Sequence, residues 1–139
     1  MRELLAVLVG GFVGTGLRLL VDLALPNAAD GLPLGTLLVN VVGAFVLGLL
    51  VAQVWPHAAA WLRAGLGAGL LGSFTTFSAI AVSLVAQAHA GAWWLAAGYL
   101  VLSLVLGFGA AALGLRLGRP RRAFRERGSG VSPIDWVDE

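Results

Sequence analysis

The sequence has no cysteine and no lysine, and it contains little charge of either sign. The absence of cysteine excludes disulfides, thiolate chemistry and cysteine-ligated metals. Charged residues make up 12% of the 139 residues, about half the share that is usual in a soluble domain. Hydrophobic residues make up 59%. A water-soluble chain of this length could not bury so much apolar surface, so we expect lipid to surround most of it.

Four apolar stretches, bounded by charges and turn residues, are long enough to cross a bilayer. The second has 21 residues, which reach about 31 Å as a helix and match the hydrocarbon core. A retained first helix is favoured over a signal peptide, because three further spans follow and Arg18 interrupts the first run. The sequence therefore predicts an all-α integral membrane protein in which residues 1–118 form one domain, with spans at 4–25, 34–54, 58–88 and 92–117.

The third stretch is longer than a span requires, and its centre is polar. Residues 72–78 comprise one glycine, four hydroxyl residues and two phenylalanines. Non-helical backbone at mid-membrane depth persists only where protein or a water-filled cavity surrounds it. A helix break is one interpretation of this segment. The residues alone favour the other interpretation, a continuous helix whose hydroxyls bond to its own carbonyls.

The basic residues predict the orientation in the membrane. All nine are arginines, and six of them lie at 116–127. Four spans place both termini and the middle loop on one side, so eight arginines face that side against Arg18 alone on the other. The positive-inside rule then predicts cytoplasmic termini. We expect residues 119–139 to form a basic tail that is disordered apart from membrane-surface contacts, and the absence of a basic stripe with interleaved aromatics argues against nucleic-acid binding.

Polar side chains inside the spans are costly, so each requires a reason. Thr36 and Asn40 lie four residues apart in the second span, as do Tyr99 and Ser103 in the fourth, so each pair shares a helix face. One interpretation is a polar track along these faces. The other is an interhelical hydrogen bond for Asn40 and an interfacial position for Tyr99.

The groups that other functions require are missing from the spans. No Asp or Glu lies deep in any of them, whereas proton-coupled transport normally needs one. The histidines, His57 and His89, lie in loops away from each other and from acids, so no metal site is predicted. Because no nucleophile–base pair or phosphate loop is present, an enzyme is not expected. Arg18 either extends to the interface or pairs with Asp22, its i+4 neighbour.

Three motifs resemble the CrcB/Fluc family of fluoride channels, over roughly residues 7–110. They are Gly-Gly-Phe-Val-Gly at 10–14 with Arg18, Gly-Thr-Leu-Leu-Val-Asn at 35–40 with Gly43 and Gly48, and Gly-Leu-Leu-Gly-Ser-Phe-Thr-Thr-Phe-Ser at 69–78. The resemblance implies a passive, fluoride-selective channel in a bacterial-type plasma membrane that lowers cytoplasmic fluoride. It also implies an antiparallel, dual-topology-type dimer of four-helix subunits, with the third helix broken at its centre.

The same resemblance implies roles for individual residues. Asn40 and Phe77 would line a fluoride pore, and the Phe77 ring would offer its positive edge to the anion. A sodium ion on the dimer axis would be held by the backbone carbonyls of Gly72 and Thr75. Five further residues would complete the pore and its vestibule: Thr36, Ser78, Tyr99, Ser103 and Arg18.

Two positions depart from the family's pattern. The family commonly has a second phenylalanine three residues after the first, where this chain has Ile80, and some members have a serine where this chain has Gly107. Together with the eight-to-one arginine bias, the missing aromatic leads to the hypothesis that the chain is one half of a heterodimer with a related chain of opposite orientation. A homodimer, a small dimeric multidrug-type exporter and a non-conducting partner or scaffold subunit remain open.

Overall fold

The computed structural model describes residues 1–25 and 32–119, and within them the chain is all helical. Four helical stretches in this part are long and apolar enough to cross a membrane, which confirms the prediction of a four-helix multi-pass membrane protein. The interior of the first loop, residues 26–31, and all of the predicted tail after Arg119 lie outside the described residues. The elements are α1 (Arg2–Ala24), α2 (Leu34–Gln53), α3 (Ala60–Ala64), a π-helical segment (Gly65–Leu71), α4 (Gly72–Phe74), α5 (Phe77–His89) and α6 (Trp93–Gly118).

The third span, Ala60–His89, comprises α3, the π-helical segment, α4 and α5. Its helical geometry is interrupted at two residues, which we name the Thr75–Thr76 segment. Thr75 has ψ 158°, and Thr76 has φ −151° and ψ 122°, so both have extended backbone between α4 and α5. The same span contains the π-helical segment Gly65–Leu71. π-Helical turns are rare in proteins overall, and those that occur are often located at functional sites. Among the described residues of the four spans, the irregular backbone is thus concentrated in the third.

Close contacts between glycine faces hold α2 against α6. A Cβ atom on Gly48 would overlap the carbonyl oxygen of Ala111, and one on Gly114 would overlap that of Phe45. In lipid there is no hydrophobic driving force between helices, so close backbone approach supplies much of the packing energy. The α2–α6 pair therefore cannot accept a side chain at either position without moving apart.

A second glycine interface holds α1 against the π-helical segment. A Cβ on Gly10 would overlap the carbonyl oxygen of Gly65, and a Cβ on Gly69 would lie 2.8 Å from that of Val7. The small-residue faces of the sequence thus lie at helix contacts. The four spans pair as α2 with α6 and α1 with the first half of the third span, while α5 also packs on α6.

The distribution of side chains is that of a protein surrounded by lipid. Large apolar residues point outward, and Phe12, Trp94 and Phe108 are each at least 73% exposed. The buried residues include several that are small or polar, among them Thr36, Thr76 and Ser103. Lipid tails are as apolar as leucine, so an outward leucine costs nothing, whereas a buried hydroxyl requires a partner. The interior of this bundle is where its specific interactions lie.

Candidate functional site

Asn40 on α2 holds the backbone of Thr76 through two hydrogen bonds, which we name the Asn40 clamp. The Asn40 Nδ2 donates to the Thr76 carbonyl oxygen at 2.8 Å, and the Thr76 N–H donates to Asn40 Oδ1 at 2.7 Å. Extended backbone inside a membrane must find such partners, because no water is available to it. The amide Nδ2 has a second N–H that these bonds do not use. Asn40 therefore both fixes the segment and keeps one donor.

The side chain of Thr76 begins the second half of the span. Its Oγ1 accepts a hydrogen bond from the Ala79 N–H at 3.2 Å and lies 3.0 Å from Ser78 Oγ. Threonine is a favoured N-cap residue because its oxygen satisfies a free N–H of the first turn. The first turn of α5 is also the positive end of its helix dipole. Thr76 thus places a cluster of hydroxyls and a weakly positive helix terminus in the middle of the third span.

The carbonyl oxygens of Gly72 and Thr75 lose the donors that a continuous helix would supply. In an α-helix these oxygens would accept hydrogen bonds from the N–H groups of Thr76 and Ala79. The Thr76 N–H instead donates to Asn40 Oδ1, and the Ala79 N–H donates to Thr76 Oγ1. Two carbonyl oxygens near the end of a helical segment are thereby available to a donor or a cation.

A polar cavity of about 550 Å³ lies between α1 and the Thr75–Thr76 segment. Arg18 and Asp22 line it from α1, with Arg18 Nε 3.6 Å from Asp22 Oδ2, so the predicted i, i+4 pair forms. The third span contributes hydroxyls and the ring of Phe77, which is 73% exposed. Of the predicted site residues, the structure brings five together around this cavity: Arg18, Gly72, Thr75, Phe77 and Ser78.

A larger cavity of about 770 Å³, which we name the α2 groove, runs between α2 and the first half of the third span. Asn40, Gly72 and Thr75 line it at the level of the Thr75–Thr76 segment. Most of the other lining residues are small or apolar, such as Gly43 and Ala44. The Thr75–Thr76 segment is thus reached by two cavities, one polar and one mainly apolar.

The polar residues predicted on α2 and α6 form a separate group. Thr36, Tyr99 and Ser103 are 3%, 1% and 9% exposed, and none of them lines either cavity. Among the described residues, the Tyr99 hydroxyl and Ser103 Oγ are buried without a hydrogen-bond partner. An interfacial position does not suit a tyrosine that is 1% exposed. Ser103 and Gly107 line a smaller cavity of about 240 Å³ beside Ala44.

Two features of the site were not predicted from the sequence. Thr76 was not among the predicted site residues, although a threonine directly before the first apolar residue of a helix, here Phe77, is an N-cap pattern. The interhelical hydrogen bond that was one of the two interpretations of Asn40 does form, but its partner, Thr76, is 36 positions away and no local pattern identifies it. Ile80, where the family commonly has phenylalanine, is 8% exposed and faces the interior of the bundle.

Four membrane-capable helices, packed on glycine faces around one polar and irregular span, define a small multi-pass membrane protein with a site for a polar solute or ion. The family model described as "CrcB-like protein, Camphor Resistance (CrcB)" matches residues 5–115. The chain belongs to this family, which confirms the resemblance inferred from the three motifs.

Curated relatives match most of the chain. A protein of Agrobacterium fabrum named "Fluoride-specific ion channel FluC" is 40% identical over 122 residues, which cover 86% of this chain and 98% of the relative. A "Fluoride-specific ion channel FluC 1" of Cutibacterium acnes is 40% identical over 107 residues, 73% of this chain and 74% of the relative. A "Fluoride-specific ion channel FluC 2" of Corynebacterium jeikeium is 46% identical over 97 residues, which cover 67% of this chain and 56% of the relative.

Proposed function

We propose that the chain is a subunit of a fluoride-selective ion channel that exports fluoride passively. The relatives' names describe channels and not enzymes. The observation that carries the proposal is the Asn40 clamp, because it holds an extended segment in mid-span and leaves one amide N–H unused. This donor, the hydroxyls of Thr76 and Ser78 and the first turn of α5 are the groups that would replace the water around a small anion.

The chemistry of the site suits fluoride. Fluoride is small and strongly hydrated, so it leaves water only where hydrogen-bond donors replace its shell. Hydroxyl and amide donors do so without a fixed positive charge, and the edge of the exposed Phe77 ring is weakly positive. Conduction requires sites that bind enough to admit an ion and weakly enough to release it. Arg18 stands at the wall of the polar cavity and is partly neutralised by Asp22, which suits a vestibule.

The extended Thr75–Thr76 segment would serve as a functional break of the third helix with a sodium ion beside it. The carbonyl oxygens of Gly72 and Thr75 have lost their helical donors, and carbonyls of unwound segments are known ligands for sodium in membrane proteins. Among the described residues no group of three or more His, Asp or Glu could hold a metal, so a cation here would depend on backbone oxygens. Such an ion would add positive potential where a pore anion is most disfavoured.

An antiparallel dimer would complete the pore. Phe77 is exposed, while the hydroxyls of Tyr99 and Ser103 are buried without partners among the described residues. An aromatic ring that lines a polar cavity, as Phe77 does, and unsatisfied polar groups are what a second subunit or a permeating anion would contact. The arginine bias supports cytoplasmic termini for this chain, and the buried Ile80 supports a partner that supplies the second aromatic. The numbered names FluC 1 and FluC 2 of two relatives agree with a channel that is built from two related chains.

Fluoride efflux from liposomes tests the proposal. The purified chain is reconstituted alone and with a related chain, and released fluoride is followed with a selective electrode. We expect rapid efflux that needs no proton gradient, while chloride is retained. Fluoride release by neither preparation would contradict the channel, and release only with a proton gradient would favour an exporter. Fast efflux from the single chain would exclude an obligate heterodimer and leave the homodimer.

A further inference from the structure

We propose that Trp55 and Arg63 form an anion-receiving site at the end of the α2 groove remote from Asn40. The inference rests on the proposed channel function and adds a site outside the polar cavity. Both residues line the same cavity that Asn40, Gly72 and Thr75 line at its other end. The groove therefore connects the loop after α2 with the Thr75–Thr76 segment.

The indole of Trp55 supplies an unused hydrogen-bond donor. Its Nε1 is buried and has no hydrogen-bond partner among residues 1–25 and 32–119. Indole Nε1 donates and never accepts, so a buried and unpartnered one is satisfied by an anion, a carbonyl oxygen or a water molecule but not by a cation. The ring edge with Cζ2, two bonds from Nε1, lies over Gly67, where an added Cβ would be 3.3 Å away. Gly67 also lines the groove.

Arg63 supplies the charge. It lies in the last turn of α3, one turn before Gly67, and it lines the groove together with Trp55. In the described part of the chain Arg63 forms no salt bridge, and the acids there, Glu3 and Asp22, do not line the groove. Arg63 is exposed, and a guanidinium at one end of a mainly apolar cavity attracts small anions because low-dielectric walls focus the field. The Trp55 N–H is covered in this conformation and would bond such an anion once the indole turns towards it.

The ligand of this site is a small monovalent anion, and fluoride is the one that the proposed function supplies. The loop 54–59 lies on the side that the arginine bias predicts to be cytoplasmic. An anion bound there stands at one end of the groove, while the free N–H of Asn40 is at the other end. Arg18 belongs to the polar cavity on the opposite face of the Thr75–Thr76 segment. Trp55 and Arg63 would thus receive fluoride that Asn40 later binds.

Flux at varied fluoride tests the site by conservative substitution. Trp55→Phe keeps an aromatic side chain, although a smaller one, and removes the N–H, whereas Arg63→Gln removes the charge. In reconstituted channels we expect each to raise the half-saturating fluoride concentration about tenfold, which is the effect of one lost hydrogen bond to an ion. The maximal flux should be retained. The matched controls are Trp61→Phe and Arg2→Gln, because Trp61 and Arg2 line a different cavity.

A binding measurement separates failure of this site from failure of the channel. Trp61, Trp93, Trp94 and Trp136 are replaced by Phe, so that the emission of Trp55 alone is followed during titration with sodium fluoride or sodium chloride. A saturable, fluoride-selective shift that Arg63→Gln weakens would support the site even if no flux is measured. An unchanged half-saturating concentration in both variants of a conducting channel, or equal responses to the two salts, would overturn it.

Discussion

The polar groups around the Thr75–Thr76 segment bond one another across two helices, whereas the hydroxyls of Tyr99 and Ser103 on α6 have no partner on another helix in the described chain. At the segment, the Asn40 clamp and the Thr76 cap satisfy the extended backbone. On α6, the hydroxyls of Tyr99 and Ser103 are buried and unpaired. The two groups lie in the same four-helix bundle and under the same lipid constraint.

Satisfied and unsatisfied buried polar groups affect the stability of the fold in different ways. A satisfied buried group stabilises its surroundings, and removing it leaves a partner unpaired. An unsatisfied buried group lowers stability and persists where it has another use. The segment at Thr75–Thr76 therefore builds the fold and the site together. We propose that the hydroxyls of Tyr99 and Ser103, which are buried without a hydrogen-bond partner among the described residues, act on an anion or a partner subunit. Substitutions in the two groups should change stability in different ways.

The largest effect is expected from Asn40→Asp. Aspartate can accept from the Thr76 N–H but, when ionised, cannot donate to the Thr76 carbonyl oxygen, and it places a negative charge where we propose that the anion passes. Two like charges about 4 Å apart repel by about 4 kcal/mol at an effective dielectric constant near 20, so fluoride efflux should fall at least about a hundredfold. Gln53→Glu, at the exposed end of the same helix, is the charge-matched control. Unchanged efflux would show that Asn40 does not line the pore.

Gly48→Ala tests the frame that holds α6 beside α2. The new Cβ would overlap the Ala111 carbonyl oxygen, a backbone atom that cannot rotate away. We expect the helices to separate at a cost of about 1–3 kcal/mol, the usual range for overpacking, with a lower melting temperature in detergent. The control is Gly98→Ala on α6, where nothing lies within 4 Å of an added Cβ. Equal melting temperatures for both variants would contradict the close packing.

Thr75 and Thr76 provide a matched pair of substitutions that tests the hydrogen bonds around the extended segment. Thr76→Val removes the oxygen that accepts from Ala79 N–H, and the loss of an N-cap costs about 1 kcal/mol. Thr75→Val removes a bond to the Leu71 carbonyl, which the Thr75 N–H already satisfies at 3.0 Å. Thermal unfolding of the two variants should therefore show a larger loss for Thr76. The reverse order would mean that the cap of α5 is not the stronger interaction.

The sequence predicted the fold better than the arrangement of the site. The existence of four spans and the all-helical class follow from long apolar runs, and the observed ends of the spans lie within two residues of the predicted ones. The extended conformation of Thr75 and Thr76 could not be derived from those residues alone, since their hydroxyls also suit a continuous helix. The two hydrogen bonds that hold Thr76 in the extended conformation come from Asn40, which is 36 residues away in the sequence. The polar composition of residues 72–78 pointed to that segment but left a break and a continuous helix both open, and only the family resemblance favoured the break.

The site residues illustrate the same difference. Spacing placed Thr36 with Asn40 and Tyr99 with Ser103 on shared faces, and local geometry suffices for that. Spacing could not show that Arg18 and Phe77 line one cavity, because their helices meet only in the folded bundle. Nor could it distinguish satisfied from unsatisfied hydroxyls, which depends on the position of every neighbouring donor. The predicted roles of these residues in conduction stay predictions.

The smallest effect on stability is expected from Tyr99→Phe and Ser103→Ala, and it should have the opposite sign to that of Thr76→Val. Each change removes a buried hydroxyl without a partner in the described chain, so unfolding stability should stay constant or rise by up to about 1 kcal/mol. Fluoride efflux should fall, because the donors that would replace water around the anion are lost. Thermal unfolding and efflux are measured on the same preparations. A loss of stability without a loss of efflux would show that these hydroxyls are structural, and the contrast with the Asn40 clamp would disappear.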